Sequence, residues 1–275
     1  MSENILSVII PNYNNALFLE KCIDSVLKQS FKQFEIIIVD DCSTDNSIEI
    51  IRKLQRDSDR ITLIALEQNG GVSNARNVGL YAAKTPYVTF IDGDDFYYND
   101  HKLENEMNIV LKYKQECRKD VIAFSPVIDM AYDGETIVLK HQLKKRKHPN
   151  RKALLKMLAF VVKMPRDYCL SKELLCSVGA YNYPDNFYED LDLLFRLAQK
   201  AEFYSTGDYG TAYRQTPNGL SKRSAEEHQN RVNSIRNHYY EQLNIFHKAV
   251  VKTYELIEKI RVYIWNLIHL RKGMK

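Results

Sequence analysis

The densest chemistry in the chain is the run Asp92-Gly93-Asp94-Asp95, placed directly after the apolar stretch Tyr87-Val88-Thr89-Phe90-Ile91. Carboxylates at i and i+2 beside a flexible glycine can grip a hard divalent ion, and oxygen-only ligation favours Mg²⁺ or Mn²⁺ over zinc. Substrate phosphate oxygens commonly complete such sites, so the natural guest is a nucleoside diphosphate. Asp and Gly are also ordinary turn residues, and Asp-x-Asp alone is a weak signal. A second acidic pair, Asp40-Asp41, ends the run Glu35-Ile36-Ile37-Ile38-Val39. Adjacent carboxylates repel unless a donor partners them. A base edge with an N–H group, such as uracil, would serve, and so would a helix N-terminus. Arg76 lies within about two helical turns of Gly71, so it could reach a phosphate or a sugar, or form a surface salt bridge.

These residues need elements to position them. Short β-branched runs at 5–10, 35–39, 61–65 and 87–91 alternate with amphipathic stretches at 17–28, 46–56 and 71–83. That alternation predicts buried parallel strands joined by crossover helices, an α/β architecture. The strand-to-helix turns carry the polar residues: Pro11-Asn12-Tyr13-Asn14-Asn15, Asp40 to Asp45, and Asn69-Gly70-Gly71. Ser43 or Asp45 suits the N-cap of the second helix. Open α/β sheets bind ligands outside the carboxyl ends of their strands, so these loops are expected to converge on one cleft. Beyond residue 100 the pattern predicts a helix, strands at 121–127 and 136–140, a solvated basic loop over 140–152, a helix over 190–200, a strand pair within 203–213, and helix from 225 onward.

Composition narrows the field. The chain has 275 residues, 45% of them apolar and 27% charged, which suits a packed globular chain. A net charge of +4 is too small an excess to argue for nucleic acid. Five scattered cysteines form no C-x-x-C pair, so neither a disulfide framework nor a zinc site is expected. The start Met1-Ser2-Glu3-Asn4 lacks a basic n-region, and no window approaches the roughly 18 apolar residues of a membrane span. The expectation is a cytoplasmic protein. There is no Gly-x-Gly-x-x-Gly, Gly-Lys-Ser/Thr loop or Gly-x-Ser-x-Gly, which disfavours dinucleotide, ATPase and α/β-hydrolase chemistry.

Five blocks together, Ser7-Val8-Ile9-Ile10-Pro11-Asn12-Tyr13-Asn14, Ile38-Val39-Asp40-Asp41-Cys42-Ser43-Thr44-Asp45, Ala75-Arg76-Asn77-Val78-Gly79, Asp92-Gly93-Asp94-Asp95 and Glu189-Asp190-Leu191-Asp192, resemble the family 2 glycosyltransferases of the GT-A fold, over roughly residues 5–215. Cys42 stands where that family usually carries glycine. The resemblance implies a Rossmann-like, mostly parallel sheet flanked by helices, with residues 1–224 as nucleotide-sugar-binding and catalytic domain; residues 225–275, which it does not cover, are expected from their own pattern to form a helical extension. It implies inverting transfer of a sugar, most often from a UDP-sugar, to a hydroxyl of a glycan, lipid-linked or glycoprotein acceptor. Pro11, Tyr13 and Asp41 would line the nucleoside pocket, Tyr13 stacking on the base and Asp41 accepting from its N–H. Asn14, Asp40, Asn69 and Gly93 are counted with the donor site. Arg76 would contact the donor near its diphosphate, Asp92 would face ribose or sugar, and Asp94 would hold Mn²⁺ or Mg²⁺. Asp190 would be the catalytic base, with Glu189 orienting it or the acceptor. A metal-dependent nucleotidyltransferase and a binding module without turnover are the alternatives.

Tyr181-Asn182-Tyr183 and Tyr188 could form an acceptor platform or pack in the core. His101, His141, His148 and His228 are expected in plain structural roles. From 255 to 272, Leu256, Ile257, Ile260, Ile264, Leu267 and Ile268 form one helical stripe. Packing on the body of the chain or on a second copy is favoured; contact with an anionic membrane through Tyr263 and Trp265 is the other reading.

Overall fold

The computed structural model describes residues 3–140, 147–148, 150–159, 166–182, 188–216 and 225–272, with backbone alone at 147–148, 150–152, 225, 228 and 264–272. The first half is the expected alternation: β1 (Leu6–Asn12), α1 (Ala16–Leu27), β2 (Phe34–Asp40), α2 (Ser47–Asp57), β3 (Ile61–Ala65), α3 (Val72–Ala82) and β4 (Tyr87–Phe90). There follow β5 (Phe96–Tyr97), α4 (Lys102–Cys117), β6 (Val121–Phe124), β7 (Val127–Met130), β8 (Ile137–Lys140), β9 (Lys147–His148), α5 (Asn150–Leu158), β10 (Tyr168–Ser171), α6 (Lys172–Ser177), α7 (Glu189–Lys200), β11 (Glu202–Ser205), β12 (Thr211–Arg214), α8 (Ala225–Glu241) and α9 (Ile245–Lys272).

An eight-stranded sheet runs β3-β2-β1-β4-β10-β6-β11-β9, parallel from β3 through β4, with β10 antiparallel to both its neighbours. Both faces are covered, which explains the unbroken apolar runs. On β1 and β2, Ile9, Ile37 and Val39 point into one core, Val8, Ile10, Ile36 and Ile38 into the other. Each such side chain contributes about 1.5–3 kcal/mol when fully buried. β3 departs from the expected buried strand: it lies at the sheet edge, and Thr62 and Ala65 face solvent.

The winding reverses between β1 and β4, and the carboxyl ends of these two strands carry Asn12–Asn15 and Asp92–Asp95. Crevices form at such switch points. Helix α3 lies close on β1 and β2 because residue 79 has no side chain: a Cβ there would meet Ile9 Cγ2 at 2.4 Å. That approach brings Arg76, one turn earlier, over the sheet end.

The second half corrects several expectations. The single strand over 121–127 is two, β6 and β7, split at Ser125-Pro126, because proline cannot donate to a ladder. The strand pair within 203–213 is not a pair. β11 joins β6 in the large sheet and β12 joins β7 in a four-stranded sheet ordered β5-β12-β7-β8. The basic stretch is not wholly loop, since β9 pairs with β11 and α5 begins at Asn150; residues 141–146 and 149, His141 among them, lie outside the described residues. Ile235, Tyr239 and Val251 of α8 and α9 share the core containing β1 and β4 residues, and Tyr239 donates from its hydroxyl to Asp192 Oδ1 at 2.6 Å. Further along α9, Leu256, Ile257 and Ile260 are exposed, so this stretch does not pack on the body of the chain. The side chains of Ile264, Trp265, Leu267 and Ile268 lie outside the described residues. Among the described residues no helix is long and apolar enough to cross a membrane.

Candidate active site

The loops after β1 and β2 are stitched to each other before any ligand is considered. Asn12, buried in β1, donates from Nδ2 to Asp40 Oδ2 at 2.7 Å, and Asp40 also accepts from the Ser43 amide and hydroxyl. Asp40, fully buried, is thereby consumed in holding its own turn. Asn14 adopts a left-handed φ of 54°, as short polar residues can. From there its Oδ1 accepts from the Thr44 amide at 2.8 Å, while its own amide donates to Ser43 Oγ. Asp45 Oδ1 accepts from the Ser47 amide and Oδ2 from the Ala16 amide, so one carboxylate serves the first turns of both α1 and α2. Ser43 caps neither helix.

Asp41 finds its donors at a helix N-terminus, that of α3, whose N-cap is Gly71. Its two carboxylate oxygens accept the Gly70 and Gly71 amides, each at 2.8 Å, and Asn69 Nδ2 donates to the Asp41 carbonyl. The loop before α3 is thus pinned to the end of β2. Pro11 is buried opposite Val39, while the Tyr13 ring stands 47% exposed at the rim. A Cβ on Gly93 would meet Asn12 Oδ1 at 2.9 Å, so the Asp92–Asp95 turn passes close to the β1 loop.

Arg76 draws the remaining motifs together. One nitrogen donates to Asp92 Oδ1 at 2.8 Å and another to Glu189 Oε1 at 2.5 Å, and its side chain is only 5% exposed. It is not a surface salt bridge. Tyr181 covers the guanidinium, with the ring centroid 5.2 Å away, and packs edge-on against Phe90. Tyr181 and Tyr188 are core residues rather than a platform; Asn182 is exposed, and Tyr183 lies outside the described residues. His101 is a surface residue beside Ser30 and Glu104, and the side chains of His148 and His228 lie outside the described residues.

The electrostatics follow from burial against charge. Burial would push the Asp92 carboxyl up, but Arg76 and then Arg166 overcome it and hold it below the usual carboxylate range. Burial, with the Asp92 charge added, raises Asp94. Burial raises Asp95 further, against the pull of Arg166. Carboxylate oxygens of Asp92, Asp94 and Asp95 lie within 4.8 Å of one another. This is a fitting donor set for a hard divalent ion: all oxygen, gathered at a strand end, with Asp92 and Asp94 partly exposed and Asp95 buried. Burial lifts Glu189 to about 7, with Arg76 opposing and Asp190 reinforcing. Asp190 opens α7 beside it, its Oδ1 accepting from the Leu191 amide at 2.7 Å.

Four residues at the site escaped the sequence: Asn12, Asp95 as a separate actor, Arg166 and Arg214. Arg166 bonds Asp92 and Asp95, and the Arg214 amide bonds Asp95. Asn12 and Asp95 fall within the motifs at 7–14 and 92–95, whereas nothing in the residues around Arg166 or Arg214 marks them.

With this geometry in view, the relatives are informative. The family model "Glycosyl transferase family 2" matches residues 7–162, more than half of the chain, and the chain belongs to that family. It is 43% identical over 112 residues to an uncharacterized glycosyltransferase of Haemophilus influenzae, covering 41% of this chain and 44% of that protein. It is 38% identical over 130 residues to the putative teichuronic acid biosynthesis glycosyltransferase TuaG of Bacillus subtilis, covering 47% of this chain and 49% of TuaG. The chain thus spans about half the length, or less, of these curated relatives. Among solved structures it resembles S. aureus TarS 1–349 in complex with UDP-GlcNAc, with a TM-score of 0.71 and 21% identity over 92% of this chain and 71% of that one. The fold is GT-A.

Proposed function

We propose that the chain transfers a sugar from a UDP-sugar to a hydroxyl of a glycan, lipid-linked or glycoprotein acceptor, by single in-line displacement with inversion. The observation that carries this reading is Arg76, bonded at once to Asp92 of the Asp-x-Asp turn and Glu189 beside Asp190. One buried cation joins the segment suited to a diphosphate to the segment suited to deprotonate an acceptor. The donor class is supported by TarS, whose structures include complexes with UDP and with UDP-GlcNAc. Relatives named for teichuronic acid biosynthesis and as chondroitin and hyaluronan synthases support a saccharide acceptor.

Tyr13 offers its exposed ring to the base. Asp41, with one lone pair of each oxygen spent on Gly70 and Gly71, keeps others for the base N–H. Pro11, Asn14, Asp40, Asn69 and Gly93 shape that pocket. Asp94, with Asp92 or Asp95, would hold Mn²⁺ or Mg²⁺, which when bound supplies an electrophile for the leaving diphosphate. Asp190 takes the proton of the attacking hydroxyl, a poor acid that needs a base as the bond forms. Glu189, fixed by Arg76, keeps the start of α7 in place.

The test is a screen of UDP-sugars for release of UDP dependent on Mn²⁺ or Mg²⁺, followed by Asp190→Asn. That variant is expected to lose turnover by at least about a hundredfold while binding donor as before. Pyrophosphate as the product, or an unimpaired Asp190→Asn, defeats the reading.

A further inference from the structure

Every oxygen of Asp92 and Asp95 already has a partner. Asp92 Oδ1 takes Arg76 at 2.8 Å and Asp95 Oδ1 takes the Arg214 amide at 2.8 Å. The two Oδ2 atoms share one guanidinium: Arg166 Nε lies 3.1 Å from Asp92 and Arg166 Nη2 lies 2.7 Å from Asp95. Asp94 alone of the three enters no ion pair among the described residues. A divalent ion drawn to Asp92 or Asp95 would sit beside the guanidinium that already spans them, and two cations crowded on the same pair of carboxylates repel each other.

The arginines here differ in freedom. The Arg76 side chain is 5% exposed and committed to two carboxylates, whereas Arg166 is 36% exposed. Arg214 spends its guanidinium on the Asp94 and Tyr132 carbonyls. The backbone of Arg166 is nonetheless anchored. Its amide donates to the Tyr213 hydroxyl at 3.1 Å, that hydroxyl donates to Asp167, and Asp167 faces buried Lys102 at 3.6 Å. The guanidinium rests on the Tyr213 ring, 4.3 Å from its centroid. A fixed main chain thus carries a partly exposed guanidinium, and of the two arginines paired to these carboxylates Arg166 is the less enclosed.

We propose that Arg166 competes with the divalent cation for Asp92 and Asp95, so that the ion binds by displacing the guanidinium. The proposal rests on the metal-assisted reading above and assigns to Arg166 the position of a cation competitor that sets how readily the ion enters.

Direct Mn²⁺ binding tests this, read as loss of the free-ion electron paramagnetic resonance signal on titrating the full chain, alone and with UDP. Arg166→Gln is expected to bind Mn²⁺ about tenfold tighter than the unaltered chain, a typical coupling between competing ligands. Arg166→Lys should fall between, because an ammonium lacks the fork that spans two carboxylates, and it serves in place of the glutamine variant should that one fail to fold. Arg214→Gln removes the same charge without freeing a carboxylate oxygen, and its affinity should move far less. Equal tightening in Arg166→Gln and Arg214→Gln would reduce the effect to net charge and overturn the proposal, as would unchanged or weaker binding on altering Arg166. Absence of Mn²⁺ binding in every protein, with or without UDP, overturns the metal reading and this proposal together.

Discussion

Arg76 and Glu189, 113 positions apart in the chain, lie 2.5 Å from each other in a site from which both side chains are almost wholly excluded from water. Removing one partner of such a buried pair leaves an uncompensated charge. Arg76→Ala is therefore expected to lower stability by about 3–5 kcal/mol. Arg76→Lys should keep the charge yet fail to bridge Asp92 and Glu189 at once, since one ammonium does not reproduce the planar fork. Urea melts with an activity assay check both: a lysine variant matching the unaltered enzyme in rate would remove Arg76 from its assigned position.

Glu189 provides a pH signature. Burial raises its pKa to about 7, so below that value it is protonated and its charge no longer answers Arg76. The ionised form is the one that holds Arg76 as an ion pair, and kcat/KM is expected to rise with pH through about 7. In Glu189→Gln that inflection should vanish. Stability runs the opposite way: a carboxyl whose folded pKa lies above its unfolded value of 4.5 contributes most below pH 4.5, and the contribution is lost as pH rises through about 7. A Tm that climbs across this window because of Glu189 would contradict the sign.

Asp41→Asn should separate binding from chemistry. An amide offers one acceptor oxygen where the carboxylate served two backbone amides, so Gly70 or Gly71 loses its partner at a cost of about 1–3 kcal/mol. Loosening that loop should raise the donor KM several-fold more than it lowers kcat. A kcat effect with KM unchanged would contradict this account of Asp41.

Cys42 sits at φ 65°, a left-handed conformation that side chains with a Cβ resist. Its thiol reaches the Glu67 carbonyl only at 3.6 Å, a weak return. Cys42→Gly relieves about 1–2 kcal/mol of strain but gives back part of it in unfolded-chain entropy, for an expected net gain of about 0.5–1 kcal/mol. Calorimetry showing a lower Tm would mean the thiol contact outweighs the strain.

Gly79→Ala should be destabilising by about 1–3 kcal/mol, because the new Cβ would fall 2.4 Å from Ile9 Cγ2 and force α3 off the sheet. Pairing it with Ile9→Ala removes the colliding methyl, so the two changes should cost less together than their sum. Strict additivity in a double-mutant cycle would place the damage elsewhere.

Much of this was legible before folding. Apolar runs of strand length separated by turn residues gave four parallel strands, β1 to β4, within a residue or two, because strands buried on both faces must be apolar throughout. The same runs fixed which loops meet: Asn12, Asp41 and Asp92 are each carried at the carboxyl end of a strand. After residue 120 the reading weakened, since a strand only four residues long tells nothing of its partner. Whether β11 pairs with β12 or with β6 is decided by which apolar faces can be covered together, a property of the whole sheet. The same limit governs the charges. The order of residues determined that several acids would crowd one cleft. Only the tertiary structure decided which cations answer them: Arg76 inside the cluster because Gly79 lets its helix approach, and Arg166 at its mouth because a distant strand presents Tyr213 beneath it.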